Sequence, residues 1–161
     1  MSETAHNIPE LLQASEIFAG LDEAQLERLA ELAEEEAHPE GSVVVEEDTR
    51  GSACYFLLQG RVDVEIGSPL PGRAPQTLAT LKKGESFGEL SLVDGYLRSA
   101  SVRAVAPIEL LRFDSAAMET LMEEDPAIGY RVMRNVARVL ATRIRSSNMK
   151  LRNALSDVLF Y

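Results

Sequence analysis

The stretch FGELSLVDGYLRSASV, from Phe87 to Val102, sets one carboxylate, Glu89, and one guanidinium, Arg98, around a short apolar turn in a region that otherwise has the texture of β-strand. GELSLV reads as one turn of helix starting near Gly88, with strand resuming at Ser99. The start of a helical turn carries free backbone N–H groups, which attract an anion. Gly88 has no side chain to obstruct that approach, and Arg98, nine positions after Glu89, is close enough to fold back over the same groups. Its planar fork suits the paired oxygens of a phosphate. Glu89 would repel a phosphate beside it, but an ionised carboxylate accepts hydrogen bonds only and so suits a sugar hydroxyl one step away. The ligand implied is a ribose whose phosphate lies close to its 2′-hydroxyl.

Outward from this stretch the chain divides into three textures. Short β-branched or alternating runs, SVVVEE, ACYFLLQ, RVDVEI, QTLATL, ESFGE, SASVRAV and IELLRF, follow Gly41 and are separated by turn signals such as Gln59-Gly60, GSPLPGRAP and Lys83-Gly84. Seven or eight strands at this spacing predict a small barrel or jelly roll. Before them, GLDEAQLERLAELAEEEA places Leu21, Leu26, Leu29, Ala30 and Ala33 at helical spacing, with Asp22 as N-cap and Gln25 three residues on. That spacing predicts an amphipathic helix ending near His38-Pro39. After them, SAAMETLMEE predicts a short helix, Asp125-Pro126 a break with Asp125 as cap and Pro126 in the first helical position, and residues 127–158 one long helix. The fold class expected is mainly β: a double-stranded β-helix, or jelly-roll, barrel with an N-terminal helix and C-terminal helices including one long one. Residues 1–14 are read as an N-terminal tail and 15–161 as one domain, made of a helical part (15–38), the barrel (39–113) and the closing helices (114–161).

Composition narrows the function classes. A chain of 161 residues, 45% of them apolar, can bury roughly 70% of its unfolded surface in one core. Its one cysteine, Cys54, sits in the apolar run ACYFLL and reads as a small buried hydrophobe. MSETAHNIPE lacks the basic and apolar regions of a signal peptide, and no apolar run approaches the ~18–20 residues of a membrane span, so a soluble cytoplasmic protein is expected. The net charge of −10 argues against generic nucleic-acid binding, which rests on Lys and Arg neutralising phosphates. The charge is uneven: residues 1–50 hold 14 acidic and 2 basic side chains, whereas 127–161 hold 7 basic residues and only Asp157. His6 and His38 lie far apart without metal-ligand spacing and read as solvated, Ser91 and Ser99 have no nearby histidine, and no phosphate-loop or dinucleotide fingerprint occurs. No metal site and no enzyme are expected.

FGEL, followed by an arginine and small residues in RSASV, resembles the phosphate-binding cassette of cyclic nucleotide-binding domains, as in bacterial catabolite activator proteins and protein kinase regulatory subunits. IFAGLDEAQLERLAELA is similar to that family's N-terminal helix, GSACYFLLQGRVDVEI to its central hairpin, and VRAVAPIELLRFD to its last barrel strands, so the likeness covers roughly residues 15–160. The resemblance implies Glu89 as acceptor of the 2′-hydroxyl, Arg98 as ligand of the cyclic phosphate, and Gly88 and Leu90 as backbone donors. It sets Ser99 beside the phosphate, where it fits either cAMP or cGMP and no cofactor is needed. It implies also that the last helix covers the base, with Arg143, Ser147 and Asn148 the polar residues placed to reach it. VVVEEDTRGSACY departs from the family by lacking the glycine-aspartate turn often found before the hairpin.

The last helix carries a second pattern. With 141, 148 and 155 at a and 144, 151 and 158 at d, Ala141, Ile144, Asn148, Leu151, Leu155 and Val158 form a short coiled-coil seam, which predicts a homodimer in which Asn148 fixes register. The alternative is that the seam packs on its own barrel. Arg131, Arg138, Arg145 and Arg152 occupy successive e positions without acidic g partners; either they are solvated or they meet Glu27, Glu31, Glu34, Glu35 and Glu36. The chain closes at Tyr161, directly after this helix, so a free-standing sensor acting on a protein effector is expected. Two alternatives stay open: the same fold with another ligand, such as a cyclic dinucleotide, and a ligand-independent dimerisation or scaffold module.

Overall fold

The computed structural model describes residues 7–68, 70–95 and 97–159. Two helices, α1 (Ile8–Gln13) and α2 (Glu23–Ala30), lead into eight strands: β1 (Ala33–His38), β2 (Val43–Val45), β3 (Ala53–Gln59), β4 (Arg61–Ile66), β5 (Gln76–Lys82), β6 (Ser86–Phe87), β7 (Ser101–Ala104) and β8 (Ile108–Asp114). A single 3₁₀ turn, Glu89–Leu92, stands between β6 and β7, and α3 (Ser115–Glu124) and α4 (Pro126–Leu159) close the chain. The strands form two four-stranded antiparallel sheets, ordered β1-β8-β3-β6 and β2-β7-β4-β5, which is the jelly roll expected.

Alternation along the strands builds two cores. On β3 and β8, Cys54, Phe56, Leu58, Leu111 and Phe113 face outward onto Leu12, Phe18, Leu26, Met118, Ile128 and Val132 of the helical layer. Leu57, Ile108 and Leu110 face inward, where they meet Val45, Val62, Leu81, Phe87 and Val102 inside the roll. Leu81, Phe87, Val102 and Val45 are therefore core residues. The thiol of Cys54 lies wholly in the outer core, and burial, reinforced by the negative charge of Glu89, pushes its pKa up to about 12.

Helix ends follow their capping chemistry. Asp22 Oδ1 accepts from the amide of Gln25 at 2.9 Å while Gln25 Oε1 accepts from the amide of Asp22 at 3.1 Å, a complete capping box. Asp125 Oδ1 accepts from the amides of Ala127 and Ile128 and so starts α4, with Pro126 at the first position.

Four expectations are corrected. The first concerns α2, which stops at Ala30 rather than near His38; AEEEAH is strand β1, paired antiparallel with β8 from Ala33↔Phe113 to His38↔Ile108. Glutamate favours helix, but here Arg112 on β8 bonds Glu34 at 2.8 Å and lies 3.8 Å from Glu36, and tertiary pairing overrides propensity. The second concerns the tail: residues 8–13 of the expected stretch 1–14 form α1, whose Leu12 is fully buried. The third concerns the acidic run, one of the two alternatives for the arginines of α4: Arg112 takes Glu34 and Glu36 while Arg131 packs against Gly20, so these two acids form no ion pair with α4 among the described residues of the chain. The fourth concerns His38, expected to be solvated, which is partly buried with Nε2 3.0 Å from Glu36 Oε2.

The turn that lacks the family's glycine is nonetheless made. Asp48 adopts φ 62°, a left-handed conformation that aspartate tolerates better than most residues, and the amide and hydroxyl of Thr49 both donate to the carbonyl of Glu46.

The first half of α4 packs on the outer core, and Asn135 pins it by donating to the carbonyls of Ile17 and Ala19. Its second half reaches β5, where Lys150 donates to the carbonyl of Leu78 at 2.7 Å. The seam residues do not pack on their own barrel: Ile144 is 60% exposed, Leu151 59% and Leu155 53%. No described helix is long and apolar enough to cross a membrane, and the described residues hold no cluster of metal-ligating side chains.

Candidate functional site

Strand β6 ends at Phe87, and the chain turns on Gly88 at φ 74° into the 3₁₀ turn. A side chain on Gly88 would meet Arg98 Nη1 at 2.8 Å and the carbonyl of Ala53 at 3.1 Å, so glycine serves both the left-handed turn and the close approach of the arginine. The turn is held by Ser91, whose amide and hydroxyl both donate to the carbonyl of Gly88. The amides of Gly88, Glu89 and Leu90 donate to no loop, turn or side-chain acceptor among the described residues, which leaves them available to an anion.

Glu89 points inward and is only 3% exposed. Its Oε1 accepts a short hydrogen bond from Arg143 Nη1, while its Oε2 is buried and has no partner. Buried polar atoms are almost always satisfied, so an orphaned carboxylate oxygen marks the place of a missing donor. Arg98 is 9% exposed and donates to the carbonyls of Ala53 at 2.7 Å and Gly88 at 3.2 Å. It makes no ion pair among the described residues, so its charge is met only by carbonyl dipoles. Backbone bonds between Arg98 and residues 48 and 49 fix its position, the amide of Arg98 donating to Thr49 and that of Asp48 to Arg98.

The structure thus gathers Gly88, Glu89, Leu90 and Arg98 at one place. Ser99 follows Arg98 on the same loop, exposed and without a side-chain hydrogen bond among the described residues. The three base-contact candidates separate. Arg143, expected at the base, is engaged in the cassette, donating to Glu89 and, through Nη2, to the carbonyl of Ser86 at 2.7 Å. Ser147 and Asn148 are exposed. At 100° per residue Ser147 lies about 40° from Arg143 around α4, whereas Asn148 lies about 140° away, with the open seam. Asn148 therefore does not turn toward the pocket of its own chain. The pairing of Arg143 with Glu89 was not legible in sequence, because nothing in the helical pattern reveals which turn of α4 passes the cassette.

What the fold and these side chains define is a jelly-roll binding domain whose cassette between β6 and β7 joins free amides, a buried cation and a buried acceptor. Comparison with known proteins agrees: the sequence profile of the Cyclic nucleotide-binding domain matches residues 35–125, and the chain belongs to that family. It is 27% identical over 94% of its length to a CRP-like cAMP-activated global transcriptional regulator of Mycobacterium tuberculosis, covering 63% of that protein. It is 31% identical over 87% of its length to the cyclic AMP receptor protein of Thermus thermophilus, covering 62% of it. The chain therefore spans about three fifths of these regulators. Among solved structures, a cyclic nucleotide-binding domain from Methylobacillus flagellatus superposes with a TM-score of 0.76 at 26% identity, over 89% of this chain and 79% of that one.

Proposed function

We propose that the chain binds a cyclic mononucleotide, cAMP or cGMP, and passes the ligand state through α4 to a protein partner. The observation that carries the reading is Glu89 Oε2, a buried acceptor without a donor, set in the same cassette as a buried guanidinium without a carboxylate. A ribose 2′-hydroxyl supplies the one and a cyclic phosphate the other, with the amides of Gly88 and Leu90 completing the cradle. Two relatives named for cAMP favour cAMP as the first ligand to test.

Arg143 supports the relay. It ties α4 to the carboxylate that would receive the ribose, so a ligand that changes Glu89 also changes what holds the helix. The helix shifts only as far as the ligand's affinities for its two positions differ. The open seam through Ile144, Leu151 and Leu155 suits a homodimer, which brings Asn148 to the symmetry axis.

A thermal-shift panel of cAMP, cGMP and a cyclic dinucleotide tests the reading. A cognate ligand at ~100 times its Kd stabilises by ~2.7 kcal/mol, about 5–10 °C here. Stabilisation by a mononucleotide supports the proposal. Stabilisation by the dinucleotide alone transfers it to another ligand, and no shift with any of the three favours a scaffold.

A further inference from the structure

We propose that a second anion site lies behind Arg98, on the side away from the cassette, and that its occupant weakens nucleotide binding. A cavity of about 410 Å³ opens between β2, the loop 46–52 and the start of β3. Its walls include Val45, Arg50, Ser52, Tyr55, Arg98 and Arg112, but none of Gly88, Glu89, Leu90 or Ser99. It is therefore distinct from the cassette while sharing Arg98 with it.

The loop passes directly over the guanidinium. A Cβ on Gly51 would fall 1.8 Å from Arg98 Nε and 2.0 Å from Cζ, so only glycine fits there, its backbone lies against the guanidinium, and Arg98 still contributes to the cavity wall beside it. Within this cavity the charges are not balanced. Arg112 is already met by Glu34, Glu36 and Asp114. Arg98 has only carbonyl partners, and Arg50, at the rim, forms no ion pair among the described residues. Glu46, also at the rim, is the single acid of the lining. A buried cation without a counter-charge favours an anion, and the Ser52 and Tyr55 hydroxyls have no side-chain bond among the described residues to compete for it. Val43, Val44, Val45 and Tyr55 add apolar residues to the lining.

The occupant that fits is a small organic oxyanion, a carboxylate or phosphate monoester on a short apolar body, head toward Arg98 and Arg50. One guanidinium between two anions cannot serve both fully. Occupancy of the two sites is then antagonistic, and by linkage the antagonism is reciprocal.

Phenyl phosphate, with inorganic phosphate and benzoate beside it, is the probe, titrated into the uniformly ¹⁵N-labelled chain and followed by amide NMR. Saturable shifts are expected across residues 43–55 with phenyl phosphate and benzoate, and about tenfold weaker binding in Arg50→Glu. Ser52→Phe, which fills the groove without changing charge, should lose the same shifts, so the result does not rest on one variant. Phenyl phosphate should also raise the apparent Kd of whichever cyclic nucleotide binds, by a factor that shrinks in Ser52→Phe. Shifts confined to Gly88–Leu90, or equal binding in wild type and both variants, would overturn the proposal. The inference leans on the cassette reading only for the antagonism: if no cyclic nucleotide binds, the shifts across 43–55 still decide the site itself.

Discussion

Glu89 is the residue on which the account turns. A carboxylate taken out of water costs several kcal/mol unless it is paired and hydrogen-bonded. Here one oxygen is paired with Arg143 and the other is left open. Arg143→Met should therefore do two things. It should lower the stability of the ligand-free protein by about 1–3 kcal/mol, on the order of 5 °C in Tm, because Glu89 keeps its burial and loses its counter-charge. It should also weaken the link between ligand and helix, so that a spin label on the distal half of α4 reports a smaller ligand-induced change than in wild type. Calorimetric unfolding and distance measurements check the two effects. An unchanged Tm together with an undiminished helix response would mean that the contact between Arg143 and Glu89 carries neither stability nor signal.

At the scale of elements, the cassette and α4 have opposite histories in the sequence. The cassette was legible because its chemistry is local: Gly88, Glu89, Leu90 and Arg98 lie within eleven residues, and the turn that presents them is fixed by a glycine and a serine of the same segment. Strands β3, β4, β5 and β8 were legible for the same reason, each being a short run with its own turn signals. Strand β1 was not, because AEEEAH carries helix-forming glutamates whose reason to be extended, Arg112, is 78 positions away from Glu34. The register of α4 against the barrel was hidden likewise, since Arg143 meets Glu89 across 54 positions. The apolar stripe of α4 is exposed in the single chain, which gives the proposed dimer a test. Ile144→Glu with Leu151→Glu should convert the proposed dimer to a monomer in sedimentation equilibrium, as charges placed at facing seam positions repel. A dimer that survives both changes would be built on another surface.

For the whole molecule, the fold divides labour between two cores. The outer one packs the helices, Cys54 and the first half of α4 against the β3–β8 sheet. The inner one shapes the roll on which the cassette rests. Between them runs a chain of contacts from Arg98 through Gly88 to Glu89 and Arg143, which joins the buried cation of the cassette to the closing helix. Glu34 and Glu36 of β1 go to Arg112, and the arginines of α4 stay largely at the surface. The affinity of one matched pair of nucleotides reads this arrangement most directly. Isothermal titration of the better-bound of cAMP and cGMP, set against its 2′-deoxy analogue, asks whether Glu89 Oε2 receives a ribose hydroxyl. A buried acceptor left unsatisfied costs about 1–3 kcal/mol, so the deoxy form should bind roughly 5- to 150-fold more weakly. Equal affinities for the two would contradict the account.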